Sequence, residues 1–415
     1  MRRWLILILA LVLTLSVGCG QSSLRPRLAD VAVEKPAYTP AQGESLLQSR
    51  AAYEGFSMEL FARIAAEGAQ NPVISPASAY FALAMAANGA AGETEAAFDS
   101  ILGLSTAKRN GICLALAQSL EQAKGGTELS LANSAWVNEG LTVQKPFLDT
   151  LESAYGADMF QAALTSEAAM RAMNHWVKEE TKGMIRQLFA EPLEGDNLVM
   201  VLINALYLSA KWQYPLDVAT SAGEFHLSAA ESVQADFMWG RAQELTYIEK
   251  EGAQGVVLPY DDGRLGFLAL LPAEGESVRE LAQGLRQTPL SAYLAAGEKE
   301  SVFVILPKFS VEYGLKSFKD ALSDMGLSVT FDASAAKFPA MVSDAAGPVY
   351  IGDVLQKVRL DVHELGTEAA AATAVIMDAG GAMAEVLSFD RPFLYAIVDL
   401  ETGLPLFMGI MENPA

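Results

Sequence analysis

The chain carries two cysteines in 415 residues, Cys19 and Cys113. Cys19 closes an N-terminal leader, so Cys113 is left alone and no intramolecular disulfide is expected. Histidine is equally scarce, with only His175, His226 and His363. Basic residues fall well short of acidic ones, 29 Lys and Arg against 50 Asp and Glu, for a formal net charge of −21. That deficit argues against nucleic acid as a partner, because phosphate binding needs a basic face. Catalytic signatures are missing as well. There is no Gly-x-Ser-x-Gly elbow, no His-Glu-x-x-His pair, no Cys-x-x-Cys and no glycine-rich phosphate loop. Each histidine reads as structural, since base catalysis needs a nucleophile and an orienting partner that no motif supplies. The pairs Glu179-Glu180 and Asp261-Asp262 read as solvated helix and turn charges. No enzyme, no cofactor and no metal site is expected.

What is present begins with the leader. Arg2 and Arg3 precede an apolar run from Trp4 to Leu15, and Ser16-Val17-Gly18 lead into Cys19. This is the pattern of a secretory signal, residues 1–19, ending at a bacterial lipoprotein-type site with Cys19 as the lipidated residue. The usual Leu three places before the cysteine is Ser16 here, with Leu15 one place further back. The run is short for a membrane-spanning helix. The expectation is an exported protein held by its lipid at the cell surface or in the periplasm, and otherwise secreted. Residues 20–50, with Pro26, Pro36 and Pro40, read as a flexible, extended tether. Residues 51–415 show no second linker and no repeat, so one domain is expected, acting as a monomer.

Within that domain, Phe56, Leu60, Phe61 and Ile64 keep a helical period. Ser75-Pro76 comes next, and Ser78 is placed to cap an apolar helix starting near Tyr80. That helix is apolar nearly all round through Ala87, which predicts burial. "ELSLANSAWVNEG" alternates as a strand, 145–190 reads as mainly helical, and "NLVMVLINALYLSAKW" reads as a strand buried on both faces. Further strands are expected at "AQGVVLPY", "LGFLALLP", "SVFVILPKFSVE" and "FLYAIVDL", with helices at 276–295 and 315–326. Helices come early and strands late, which defines an α+β class with large, mostly antiparallel sheets.

Six stretches in order resemble one family, the serpins. "NPVISPASAYFALAMAANGAAGETEAA" is similar to the family's Asn-x-x-x-Ser-Pro-x-Ser helix and Gly-Glu-Thr turn. "NHWVKEETKGMI" resembles its Asn-x-Trp-Val helix, "LINALYLSAKW" its Asn-Ala-x-Tyr strand, and "ILPKFSVE" its Leu-Pro-Lys-Phe strand. "GTEAAAAT" resembles the mobile-loop hinge and "RPFLYAIVDLETGLPLFMGIMENP" the closing strand pair. The resemblance implies three mostly antiparallel β-sheets, about nine helices and an exposed reactive-centre loop. It also implies suicide inhibition of serine, and sometimes cysteine, proteases. The protease cuts the loop, forms an acyl-enzyme and is distorted when the loop inserts into the main sheet; serpin insertion is a known case of a strain-releasing order change.

The residues suit that mechanism. With Thr367 pointing inward, the inward set of an inserted strand is Thr367, Ala369, Ala371, Thr373, Val375 and Met377, without a charge. The outward set is Glu368, Ala370, Ala372, Ala374, Ile376 and Asp378. Burying Val375 and Met377 is worth roughly 1.5–3 kcal/mol each. Taken alone, the alanine run favours helix. Strand patterns at Val358–Val362 and Phe393–Val398 on either side make an insertable connector the more economical reading.

The resemblance assigns the hinge to Glu364, Gly366, Thr367, Glu368, Ala369, Ala370, Ala371, Ala372 and Thr373. Counting the family's usual spacing from Glu364 places the reactive bond at Gly380–Gly381, with Ala379, Ala382 and Met383 as alternatives. Ser75, Ser78, Asn204, Trp212 and Gln356 match residues that control sheet opening. Gln356 stands where the family often has His, so no protonation switch is expected there. Glu364-Leu365 replaces the usual Glu-Glu. No Lys or Arg lies between Gly366 and Asp390, which disfavours trypsin-like targets. Small residues suit elastase- or subtilisin-like pockets, and Met383 a chymotrypsin- or cathepsin-like one. The implied partner is a target serine protease, held as a covalent acyl-enzyme complex. Lys108 and Arg109 form no extended basic run, so a heparin-type cofactor is not expected. The alternative is a non-inhibitory member whose loop, loosened by Gly380-Gly381, is only a substrate.

Overall fold

The computed structural model describes residues 40–120, 126–195, 198–343, 347–367 and 384–415, with side chains described from Arg50 onward except at 115 and 118–120. Two β-networks dominate. The six-stranded sheet runs, edge to edge, Phe309–Ser317, Leu355–His363, Gly366–Thr367, Met200–Lys211, Glu128–Asn138 and Asp158–Ala162. Met200–Lys211 is the apolar run of the sequence, paired antiparallel with Glu128–Asn138 from Ser209↔Glu128 to Met200↔Val137.

The second network has ten strands, and Glu298–Pro307 is its junction. The first half of that strand pairs with Gln243–Lys250, while its end pairs with Glu231–Trp239 and, in parallel, with Glu385–Ser388. The second and third of the three expected sheets are therefore joined by hydrogen bonds through one shared strand. Among the described residues there are eight separate α-helices and a broken helical run over 319–331. The α+β class expected from the sequence follows.

The six-stranded sheet is covered behind, and in front over its Met200–Lys211, Glu128–Asn138 and Asp158–Ala162 strands. Behind it lies Pro76–Ala87, almost wholly buried against Met200–Lys211 on one side and Pro405–Met411 on the other. Its apolar circumference is what that double burial requires. In front lies Glu167–Glu180, whose Ala169, Met173, Trp176 and Val177 cover Trp136, Phe160, Ile203 and Ala205. A strand added beside Met200–Lys211 thus has one face toward the core, while the outer face of the neighbouring Leu355–His363 is only half-buried.

Several boundaries differ from expectation. The apolar helix starts at Pro76 rather than near Tyr80. Ser75 is its cap, accepting from the Ser78 amide, and proline's fixed φ suits the first turn. The stretch 145–190 is broken by the strand Asp158–Ala162, which pairs in parallel with Ser134–Asn138. The stretch 276–295 divides into Val278–Gly284 and Leu290–Ala295, and the strand from Phe309 runs through Ser317 before any helix starts. The helix Pro40–Ala66 begins inside the segment read as an extended tether.

Candidate functional site: the hinge and the opening of the six-stranded sheet

Gly366 and Thr367 form a two-residue strand wedged between two longer ones. Thr367 lies opposite Val362 on one side and Ala210 on the other; Gly366 lies opposite His363 and Lys211. Thr367 is buried and points inward, the register expected for an inserted strand. Its hydroxyl is 2.6 Å from the Tyr260 hydroxyl. Gly366 has φ +153°, and a Cβ there would fall 2.0 Å from the Ala210 carbonyl oxygen, so only glycine fits this close approach.

The turn before the hinge is held from three directions. Trp212 donates its backbone N–H to Leu365 O and its indole N–H to His363 O, both at 2.9 Å. Its ring stacks on Tyr260 at 4.8 Å with planes 9° apart. The Glu364 carboxylate accepts from Thr220 Oγ1 at 3.0 Å and pairs with Lys308 Nζ at 3.3 Å, while Leu216 N donates to Glu364 O. Burial would raise the Glu364 carboxyl, but its own backbone amide, Thr220 and Lys308 outweigh it and hold it below the usual range. His363 Nδ1 accepts from Leu365 N at 3.3 Å. Burial lowers the pKa of this imidazole, helped by Lys308 and opposed by Glu364 and Asp361. Leu365, standing where the family has a second glutamate, is thus anchored through its backbone.

Further down the sheet, Ser75 and Gln356 exchange two hydrogen bonds. Ser75 N donates to Gln356 Oε1 at 2.8 Å and Gln356 Nε2 donates to Ser75 O at 2.9 Å. Across from them Asn204 Nδ2 donates to Asn133 Oδ1 at 2.6 Å, and Asn133 Nδ2 donates to Tyr155 O at 2.8 Å. Asn204 Oδ1 is buried without a hydrogen-bond partner among the described residues. Between these two polar groups lies a cavity of about 360 Å³, lined by Leu83, Val201, Ile203, Phe189, Phe338 and Met341 among others. Among the described residues, no ladder joins Met200–Ser209 to Leu355–Asp361. The two strands share a partner only at Gly366–Thr367.

The structure therefore brings the expected residues into two groups. Trp212, Glu364, Gly366 and Thr367 meet at the top of the sheet; Ser78, Gln356 and Asn204 line the cavity, and Ser75 is bonded to Gln356. Glu368, Ala369, Ala370, Ala371, Ala372, Thr373, Ala379, Gly380, Gly381, Ala382, Met383 and Cys19 lie outside the described residues. Sequence reasoning missed Tyr260, Asn133, Thr220 and the role of Lys308. Lys308 stood in a recognised motif, but its partner Glu364 is 56 positions away. Arg109 is buried, bonded to Asp99 at 2.7 Å and to Thr106 Oγ1 and Leu104 O, and so is not presented to a polyanion. His175 and His226 are exposed, on a helix and a strand. Among the described residues, no group of three or more His, Cys, Asp or Glu is placed to hold a metal ion. No described helix is long and apolar enough to cross a membrane.

A central sheet that is backed by a buried helix, parted along its middle and entered by Gly366 and Thr367 defines a protein able to gain a strand. Comparison with known proteins identifies the group: the chain belongs to the serpin family. The model of the family Serpin (serine protease inhibitor) matches residues 51–414. An uncharacterized serpin-like protein of Thermococcus kodakarensis is 32% identical over 381 residues, covering 88% of this chain and 85% of the relative. Serpin-ZXA of Oryza sativa is 31% identical over 363 residues, covering 83% and 90%. Among solved structures, the native state of the thermophilic serpin tengpin aligns with TM-score 0.82 at 31% identity, covering 92% of this chain and 96% of tengpin. The family supports a protease-inhibitor type of function and an interaction with target proteases.

Proposed function

We propose that this protein is a suicide-substrate inhibitor of serine proteases, with cysteine proteases as a secondary class. Its target prefers small residues, as elastase- and subtilisin-like enzymes do. The observation that carries this reading is the position of Thr367, buried and paired between Leu355–His363 and Met200–Lys211 at the head of a parted sheet. A loop cut at Gly380–Gly381 extends that strand, placing the charge-free set Ala369, Ala371, Thr373, Val375 and Met377 toward the core. Each new ladder bond adds roughly 0.5–1.5 kcal/mol net, and the buried side chains add to it. The acylated protease is carried along before it deacylates. The inhibitor acts as a monomer, anchored at the outer side of a membrane by lipid on Cys19.

The test mixes the purified protein with subtilisin and with a pancreatic-type elastase. Products are read on a denaturing gel, with the mass of the released C-terminal peptide. A denaturant-resistant complex of the summed mass less the C-terminal peptide supports inhibition, and the peptide's first residue locates the cut. Clean cleavage within 379–384 with the protease still active replaces this reading by the non-inhibitory one. For the anchor, Cys19→Ser should move the protein from the membrane to the soluble fraction.

A further inference from the structure

Tyr260 is absent from the site residues that the sequence singled out, yet its hydroxyl faces the hinge. The side chain is fully buried, and among the described residues its hydroxyl has Thr367 Oγ1 as its hydrogen-bond partner. Its ring is fixed by an aromatic column. Trp212 stacks on it at 4.8 Å, Phe267 meets Trp212 edge-on at 5.7 Å, and Tyr395 stacks on Phe267 at 5.7 Å. Its backbone is fixed too, donating N–H to Leu265 O at 2.9 Å and bridging to Trp212.

We infer that Tyr260 is the positioning residue for loop insertion: its bond to Thr367 keeps the first rung of the new strand docked before the loop is cut. The inference rests on the inhibitory reading above. If Thr367 withdraws, the Tyr260 hydroxyl is left buried and unpaired, a costly state for a polar group. The column prevents the phenol from turning toward water. Docking also changes how insertion starts. The first rung of a ladder orders several backbone dihedrals for few bonds, whereas each later residue adds to an existing edge. With Gly366 and Thr367 already paired on both sides, insertion after cleavage propagates without having to nucleate. Insertion competes with deacylation, so its starting rate sets how many inhibitor molecules are spent per protease trapped.

The variants are Tyr260→Phe, which removes only the hydroxyl, Thr367→Val, which removes the same bond from the other side, and Thr367→Ser, which keeps it. Two readouts are used on the full-length protein: amide hydrogen exchange of Gly366 and Thr367 before cleavage, and the stoichiometry of inhibition of subtilisin. Tyr260→Phe and Thr367→Val should each raise exchange at the hinge and raise the stoichiometry by about two- to tenfold, the range one net hydrogen bond spans. The double variant should be no worse than either single one, and Thr367→Ser should stay near wild type. Unchanged hinge exchange in both Tyr260→Phe and Thr367→Val overturns the inference, even if the melting temperature falls. Should the wild type trap no protease, the inhibitory reading fails, while the exchange measurement still decides whether Tyr260 docks the hinge.

Discussion

Gln356 and Ser75 are bonded to each other twice, through the Ser75 amide at 2.8 Å and the Ser75 carbonyl at 2.9 Å. The side-chain amide of Gln356 thus acts as a piece of backbone, fastening the strand Leu355–His363 to the N-terminus of the buried helix Pro76–Ala87. Neither partner titrates in the physiological range.

The contribution of this pair to the sheet opening does not itself vary with pH, and one substitution should reverse that. Gln356→His should make thermal stability vary more steeply with pH than wild type between about 5 and 7, the span over which imidazole titrates. Gln356→Ala leaves the Ser75 N–H buried without its partner, while Ser75 O keeps Ala79 N, and should cost about 1–3 kcal/mol. Melting temperatures of the two variants and wild type, compared between pH 5 and pH 8, check both. A His variant with the same pH profile as wild type would count against the pairing as the control point.

Gly366→Ala tests the close approach at the hinge. A Cβ 2.0 Å from Ala210 O cannot be accommodated while the strand pair holds. The variant should either lose roughly 1–3 kcal/mol or release Gly366–Thr367 from the sheet. Denaturant unfolding measures the first outcome, and limited proteolysis at the hinge the second. Wild-type values in both would mean that the Gly366↔Lys211 pairing is not formed in solution.

Much of this site was legible in the sequence where a local pattern carried it. The buried helix Pro76–Ala87 showed in its unbroken apolar run, and the inward direction of Thr367 in the alternation that follows it. What stayed hidden depends on contacts distant in sequence. Asp158–Ala162 is a five-residue strand held by parallel pairing to Ser134–Asn138, so its neighbours' helical pattern masked it. Ala219–Ser228 and Glu231–Trp239 form a hairpin with many exposed positions, where apolar alternation is weak. Tyr260 looked like the end of a strand; only the fold brings it to Thr367, 107 positions away.

Thr367→Arg places a guanidinium on the inward face of the first inserted residue, where the native side chain is fully buried. Burying an unpaired charge is strongly unfavourable, so the variant should be cut at the same bond but fail to trap the protease. Equal amounts of wild type and variant incubated with subtilisin, scored for complex against cleaved inhibitor, give the answer. A complex yield equal to wild type would show that Thr367 does not enter the sheet core.

Acid should loosen the hinge in two separate steps, because His363 and Glu364 are neighbours with depressed pKa values of different origin. Burial holds the His363 imidazole below its ordinary 6.5. The unfolded chain takes up its proton near that ordinary value, before the folded chain does. Stability therefore falls as pH drops from above 6.5 toward the lowered folded value. Once protonated, Nδ1 can no longer accept from Leu365 N, and the turn that carries Glu364 and Gly366 loses a bond. Glu364 acts lower on the scale: its contribution is present above the ordinary carboxyl value of 4.5 and is lost as pH falls through its lowered folded value. Melting temperatures from pH 8 to pH 3, with His363→Gln and Glu364→Gln beside wild type, separate the steps. His363→Gln should flatten the decline below pH 6.5 and leave the acid step in place, since glutamine can accept from Leu365 without titrating. Glu364→Gln should do the reverse, removing the acid step at the cost of the Lys308 ion pair. If His363→Gln shows the wild-type slope between pH 7 and pH 5, the upper step belongs to another group and the imidazole does not govern the hinge turn.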